Sequence, residues 1–250
     1  MDFLGGTLLG FLLVLTRVGA FFATSPVFGW TSIPPQTKTA MAILLAVFFA
    51  AILPYSPPTQ QPDVLQIILW TSAEAIYGLA LGLVAYALFG VVRNAARIGE
   101  QQMGLDIATE LDPLTEEQEN TLAILIEMIF ALLLFATSGH HILLKILARS
   151  YDHFTIGQIP SVAQLTESIL RAGSAMLMLS LQMAAPIMAV FMLIIVVMAI
   201  MAKIAPESNI LFLSMPIRVG VGLFLFGLLT PYISNYLQIF VLWLDKLLVV

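Results

Sequence analysis

Residues able to do chemistry are few in this chain, and most of them are acids gathered in one place. Of the fifteen acids, seven lie between Gly99 and Glu119: Glu100, Asp106, Glu110, Asp112, Glu116, Glu117 and Glu119. No Lys or Arg stands between Arg97 and Lys145 to neutralise them. Long apolar stretches flank the segment, and carboxylates gain nothing in lipid, so it is predicted to face water, a lumen or a partner. Gly99, Gly104 and Pro113 around it predict a helix that breaks into a re-entrant loop, which membrane depth tolerates only inside protein or beside water. A solvated surface loop is the plainer alternative, since runs of acids are usually solvated.

Four more charges stand singly inside apolar runs: Arg17, Glu74, Glu127 and Arg218. A lone charge there is costly unless it is paired or faces a polar cavity, so each calls for a partner, within this chain or on another subunit. The short break Pro206, Glu207, Asn209 reads by its chemistry as a turn. His140 and His141 follow Ser138 and Gly139, but adjacent positions do not share a helix face. No zinc-ligand spacing and no nucleophile elbow is visible, so neither a metal site nor a catalytic residue is assigned. The chain is predicted not to be an enzyme, and no cofactor is implied.

These side chains must be carried by helices. With 60% hydrophobic and 10% charged residues and a mean hydropathy of +1.00, the composition lies in the integral-membrane range. The absence of clustered Lys and Arg excludes a nucleic-acid surface. Without cysteine there are no disulfides and no thiolate metal sites. The run from Phe3 to Phe22 lacks a basic leader and reads as part of the mature protein.

The predicted helices are Phe3 to Phe22, Thr39 to Leu53 (short for spanning), Val64 to Val92, Leu122 to Thr137, an amphipathic stretch from His140 to Arg149, and Val162 to Lys203 kinked at Pro186. Ile210 to Val250 is predicted as a hairpin bent near Pro231. Gly78 and Gly82 have the small-xxx-small spacing that lets helices approach closely. Seven of the twelve methionines fall between Met176 and Met201, where thioethers fill gaps or form a compliant seal. The fold class expected is all-α, built of integral-membrane-type helical hairpins, in one domain over residues 1–250. Loop charges leave the topology open.

Several short motifs occur in order along almost the whole chain. Arg17-Val18-Gly19-Ala20 comes first, then Pro26 with Phe28-Gly29, and Ile33-Pro34 followed by Lys38. Gly99-Glu100 with Gln102-Met103-Gly104 and Asp112-Pro113 follow, then Gly139-His140 and Ser150 before Phe154. Ala205-Pro206, Asn209-Ile210 and Pro216 close the series. In this the chain resembles the FliR/SctT family of type III export-gate subunits.

The resemblance implies a non-enzymatic helical subunit, like a P-type and a Q-type subunit joined. Such a subunit assembles with FliP-type and FliQ-type subunits into a gate in the bacterial inner membrane. It implies work with FlhB-type and FlhA-type proteins in exporting unfolded flagellar substrates, and an assembled core largely above the membrane plane, with apolar segments that face sister subunits instead of lipid. It further implies that Met103, Gly104, Leu105, Asp106, Ile107, Ala108, Glu110, Leu111, Asp112 and Pro113 form a channel plug. Glu110 and Asp106 depart from a purely apolar seal and give this plug an acidic rim. Injectisome use is the alternative, and a self-contained solute permease would also explain buried charges and broken helices.

Overall fold

Where the helices begin and end follows from proline and glycine. The structure, a computed structural model, describes residues 2–29, 33–53, 62–105, 121–158, 161–205 and 210–248. Within these ranges the elements are α1 (Asp2–Thr24), α2 (Pro26–Gly29), α3 (Pro35–Ile52), α4 (Val64–Met103), α5 (Thr121–Ala136), α6 (Gly139–His153), α7 (Val162–Ile204) and α8 (Ile210–Leu248). The described residues contain no strand, and the fold is all-α.

Three boundaries differ from the sequence expectation, each for a physical reason. Helix α3 begins at Pro35, four residues early, because proline at the first helical position loses no hydrogen bond there. Its 18 residues reach about 27 Å, close to the thickness of a hydrocarbon core, so it is not too short to span. Helix α4 continues through Gly99 to Met103 and stops at Gly104, so Gly99 does not break it. Helix α8 is one helix and not a hairpin, with Pro216 and Pro231 inside it. Proline is tolerated within such apolar helices where neighbours re-satisfy the freed backbone groups. Pro186 likewise lies inside α7.

Five helices are long and apolar enough to cross a membrane, or six if the pair α5 and α6 counts as one broken span. They are unevenly covered by protein. The α4 window is 61% buried, whereas the windows in α3, α7 and α8 are each 17% buried. Large apolar side chains such as Leu44, Phe48, Met192, Leu193, Phe212 and Phe224 are more than half exposed. Monomeric soluble proteins rarely carry continuous apolar surface of this extent, so these faces are built for lipid or for other protein.

The described residues gather into two compact units. The first draws on Met1–Ala87, Ser138–Gly173 and Val241–Val250, the second on Leu88–Thr137 and Ser174–Phe240. In the first unit α1 packs on α2 and α3. Phe22 stacks on Phe28 with ring centroids 4.4 Å apart and Phe21 lies 6.2 Å from Phe28, which folds the short α2 back on the end of α1. Lys38 donates its Nζ proton to the Gly29 carbonyl at 2.9 Å and so ties the start of α3 to the end of α2. Helix α1 crosses α4 where Gly78 and Gly82 lie. A Cβ on Gly78 would collide with the Arg17 carbonyl, and one on Gly82 with the Thr24 side chain.

Candidate functional site

In the first unit, that close crossing brings two of the sequence's isolated charges together. Arg17 and Glu74 are both 0% exposed, and Arg17 Nε donates to Glu74 Oε2 at 2.5 Å. The other guanidinium nitrogens reach α6: Nη1 donates to the Ser150 carbonyl and hydroxyl at 3.3 Å, and Nη2 to the Phe154 carbonyl at 3.1 Å. Glu74 Oε1 accepts the Gly157 backbone N–H at 3.0 Å, where Gly157 has φ +84°. Tyr77 and Tyr151 place their rings 5.0 and 4.2 Å from the guanidinium carbon. The planar, five-donor guanidinium suits this role, because it joins α1, α4, α6 and the following turn through one side chain. Sequence reasoning assigned no role to Tyr77 or Tyr151, and read Gly157 only as part of the break, with Pro160, that closes this region.

Beside this cluster a cavity of about 290 Å³ runs between α4, α6 and the start of α7. Its walls include Leu81, Val84, Ile146, Leu165 and Ile169, with His153, Glu167 and Arg171 also lining it. Arg171 is already engaged by Glu167 at 2.6 Å. Among the described residues no three His, Asp or Glu side chains gather as a metal set. His140 lies near the start of α6, and its ring is 4.2 Å from that of His141. The two imidazoles lean together although their Cβ directions diverge, which the helix-face rule alone did not anticipate. Gly139 is buried and follows Ser138 at φ 58°, the turn that starts α6.

The second unit contains an antiparallel pair, the end of α4 against α5, joined in sequence by the acidic segment. Three contacts mark the register. The rings of Phe89 and Phe130 meet edge to face at 5.0 Å. Arg93 forms a bidentate pair with Glu127, Nε to Oε2 at 2.7 Å and Nη2 to Oε1 at 2.6 Å. Glu100 Oε1 accepts a long hydrogen bond, 3.4 Å, from the Leu122 N–H in the first turn of α5. A carboxylate there meets the positive end of the helix dipole and an orphan N–H. Glu100 is 5% exposed, so this member of the acidic run does not face water.

The segment leaves α4 through a defined cap. Gly104, at φ 75°, donates its N–H to the Gln101 carbonyl at 3.0 Å, and Leu105 donates to the Glu100 carbonyl at 3.3 Å. This two-bond pattern closes a helix on a left-handed residue, which glycine adopts without a Cβ penalty. Met103 is 1% exposed and Leu105 37% exposed, while Gln102 is half-buried. Asp106, Ile107, Ala108, Glu110, Leu111, Asp112 and Pro113 lie outside the described residues, as do Pro206 and Asn209.

Helices α7 and α8 complete this unit. Phe226 of α8 fills the space left by the missing Cβ of Gly99, and Met103 fills the space left at Gly222. Met176 lies similarly against Gly90, and Met183 and Met198 are buried, while Met178, Met192 and Met201 are exposed. Arg218 is half-buried on α8, and its Nε has no hydrogen-bond partner among the described residues. Pro216 is exposed. Thus Glu127 is paired with Arg93, Arg17 with Glu74, and Arg218 with none of the other three.

Reversing Glu127 to Arg is expected to destabilise the α4–α5 pair by only about 1 kcal/mol, because Arg93 is 44% exposed and solvent screens the pair. Adding Arg93→Glu should recover most of the loss, as read by thermal unfolding in detergent. Additive losses in the double variant would mean that the two side chains do not interact.

A family model described as bacterial export proteins, family 1, matches residues 8–242. The chain belongs to this family. Among the family relatives, flagellar biosynthetic protein FliR of Bacillus subtilis (strain 168) is 30% identical over 215 residues, covering 85% of this chain and 82% of that protein. Flagellar biosynthetic protein FliR of Escherichia coli (strain K12) is 28% identical over 225 residues, covering 90% and 85%. Yop proteins translocation protein T of Yersinia pestis is 26% identical over 230 residues, covering 88% and 85%. All of the motifs cited above, from Arg17 to Pro216, lie inside the family match.

Proposed function

We propose that this chain is a non-enzymatic subunit of the flagellar type III protein export gate, helping to form and close the channel for unfolded export substrates. Similarity to the FliR relatives through 85–90% of the chain carries the reading. Relatives named as flagellar proteins span 22–30% identity, and the Yersinia translocation protein at 26% falls within that span; the reading takes the flagellar apparatus because the 30% and 28% relatives are flagellar. The broad apolar faces of α3, α7 and α8 support the same reading, because a subunit completed by lipid and by sister chains leaves such faces uncovered. The location is the bacterial inner membrane at the flagellar basal body. The partners are FliP-type and FliQ-type subunits, with FlhB-type and FlhA-type proteins acting beside them.

In this reading the connection between α4 and α5 is the channel plug, made of Met103, Gly104, Leu105, Asp106, Ile107, Ala108, Glu110, Leu111, Asp112 and Pro113. Arg17, Glu74, Glu127 and Arg218 are the charges that hold helices or subunits in place. What supports the plug is its mounting: it leaves α4 through a glycine cap and enters α5 beside Glu100, so both of its ends are tied to one helical pair. A segment fixed at both ends closes a passage with less loss of chain entropy than a free arm.

Purification of the complex through this chain, followed by native mass analysis, tests the assignment. A large assembly containing several P-type and Q-type chains is expected. A lone chain that binds a small solute would instead identify a permease. Shortening the segment between Gly104 and Pro113 is expected to raise ion leakage through the assembled gate, and unchanged conductance would reject the plug.

A further inference from the structure

Gly222 of α8 touches the plug segment's first residue at a place where any Cβ would oblige the Met103 side chain to move. A Cβ on Gly222 would come within 2.5 Å of both Cγ and Sδ of Met103 and within 2.8 Å of its Cε. One turn away the relation is reversed: Gly99 of α4 lacks the Cβ that would meet Cζ of Phe226 at 2.5 Å. The two helices therefore interlock, with a methionine from α4 in a notch of α8 and a phenylalanine from α8 in a notch of α4. Both notches carry side chains of large apolar volume, and Met103 is 1% and Phe226 6% exposed.

On its other side the same stretch of α4 is fastened to α5 by the bidentate Arg93–Glu127 pair, by Glu100 and by the Phe89–Phe130 contact. The two sets of contacts differ in kind. Charge-assisted bidentate bonds are directional, although solvent screening limits what this pair contributes. A thioether in a glycine notch is held by dispersion, and methionine changes rotamer readily. Met103 can therefore leave its notch by a change of rotamer, without breaking a directional bond.

We propose that Gly222 is a positioning residue for the channel plug: its notch seats Met103 in the closed gate, and withdrawal of Met103 from the notch accompanies opening. The proposal rests on the plug reading given above. It names a residue on α8, more than a hundred positions away in sequence, as part of the closing device.

The absence of cysteine makes the test clean. Met103 and Gly222 replaced together by cysteine, M103C with G222C, would have Cβ atoms no more than about 4 Å apart, one C–C bond beyond the 2.5 Å contact with Cγ of Met103, within the reach of a disulfide. In the assembled gate, oxidation is expected to form the cross-link, to stop substrate export and to keep conductance low, with reductant restoring export. A gate with the disulfide fully formed by mass, yet exporting at the reduced rate, would overturn the proposal. So would failure of the cross-link to form in gates that assemble in normal amount.

A second variant avoids cysteine. Gly222→Ala should push Met103 out and raise leakage per assembled gate on the order of tenfold, the effect of overpacking by one methyl on a two-state equilibrium. Adding Met103→Ala should relieve the collision and bring leakage back down towards the level of Met103→Ala alone. Unchanged leakage in Gly222→Ala, normalised to assembled gate, rejects the seat. The shortened-segment gate is the control that separates the two readings. If shortening raises leakage and Gly222→Ala does not, only the seat fails; if shortening leaves conductance unchanged, the plug itself fails.

Discussion

Arg17→Ala is expected to remove most of the folded chain from a detergent extract. The substitution leaves the Glu74 carboxylate, at 0% exposure, with the Gly157 N–H as its remaining partner, and it deprives the Phe154 carbonyl of its guanidinium donor. Breaking a buried pair by removing one partner costs about 3–5 kcal/mol, because the other charge stays desolvated. Domain stabilities are about 5–15 kcal/mol in total, so the loss is a large part of the whole. Arg17→Lys should be intermediate: it keeps the charge, but its point-like ammonium cannot bond Glu74, Ser150 and Phe154 in the fork geometry of the native residue. Replacing both charges with methionine, Arg17→Met with Glu74→Met, should be milder than Arg17→Ala, since no unpaired ion remains. Size-exclusion profiles and thermal unfolding of the tagged proteins measure this series. If the double replacement is as damaging as Arg17→Ala, the harm comes from lost packing between Tyr77 and Tyr151 and not from a stranded charge.

Gly78→Ala should be almost as severe, for a steric reason. The atom in the way is the Arg17 carbonyl oxygen, part of the backbone of α1, with the Ala20 Cβ next at 2.7 Å. A flexible side chain could yield to the added methyl, but a helix backbone cannot, so α1 must move away from α4. Overpacking of this kind costs about 1–3 kcal/mol in ordinary cores and more where backbone has to shift. Moving α1 also draws Arg17 away from Glu74, one turn earlier on α4. The effects of Gly78→Ala and Arg17→Ala should therefore be strongly non-additive, with the double variant little worse than the worse single one. A sum equal to the two separate losses, measured by unfolding midpoints, would show that the crossing and the ion pair are independent.

How much of this was legible in the sequence depends on the range of the interaction. Gly78 and Gly82 announced a close helix crossing because small-xxx-small spacing is local. Arg17, Glu74 and Glu127 were conspicuous as ions in apolar runs, since one side chain's cost does not depend on the fold. That Arg17 meets Glu74 and that Glu127 meets Arg93 was not legible, because those residues are 57 and 34 positions apart and only the tertiary fold joins them. Arg93 in particular looked like a loop charge, because the expected helix ended at Val92; continuation of α4 to Met103 made it a bracing residue instead. Gly104 read correctly as a helix stop and Gly99 did not. A glycine that serves a φ above zero and one that makes room for Phe226 look alike in one dimension.

Pro231 misled in a similar way. A hairpin bend was expected there because proline is a strong breaker in water, yet α8 runs through it and through Pro216. The acidic run was visible, but its first member, Glu100, is a buried helix cap, which composition averaged over a segment cannot reveal.

The length of α4 carries one more implication. The forty residues of α4 amount to about 60 Å of helix by rise per residue, roughly twice the depth of a bilayer's oily interior. α7, at 43 residues, has the same problem with far less shelter from its own chain. On the proposed gate reading, sister subunits would cover what lipid does not, and copies left waiting for them would show greasy flanks to water, where chaperones and proteases compete for them. On that reading, the cell's supply of this chain would follow how quickly sister subunits take it up.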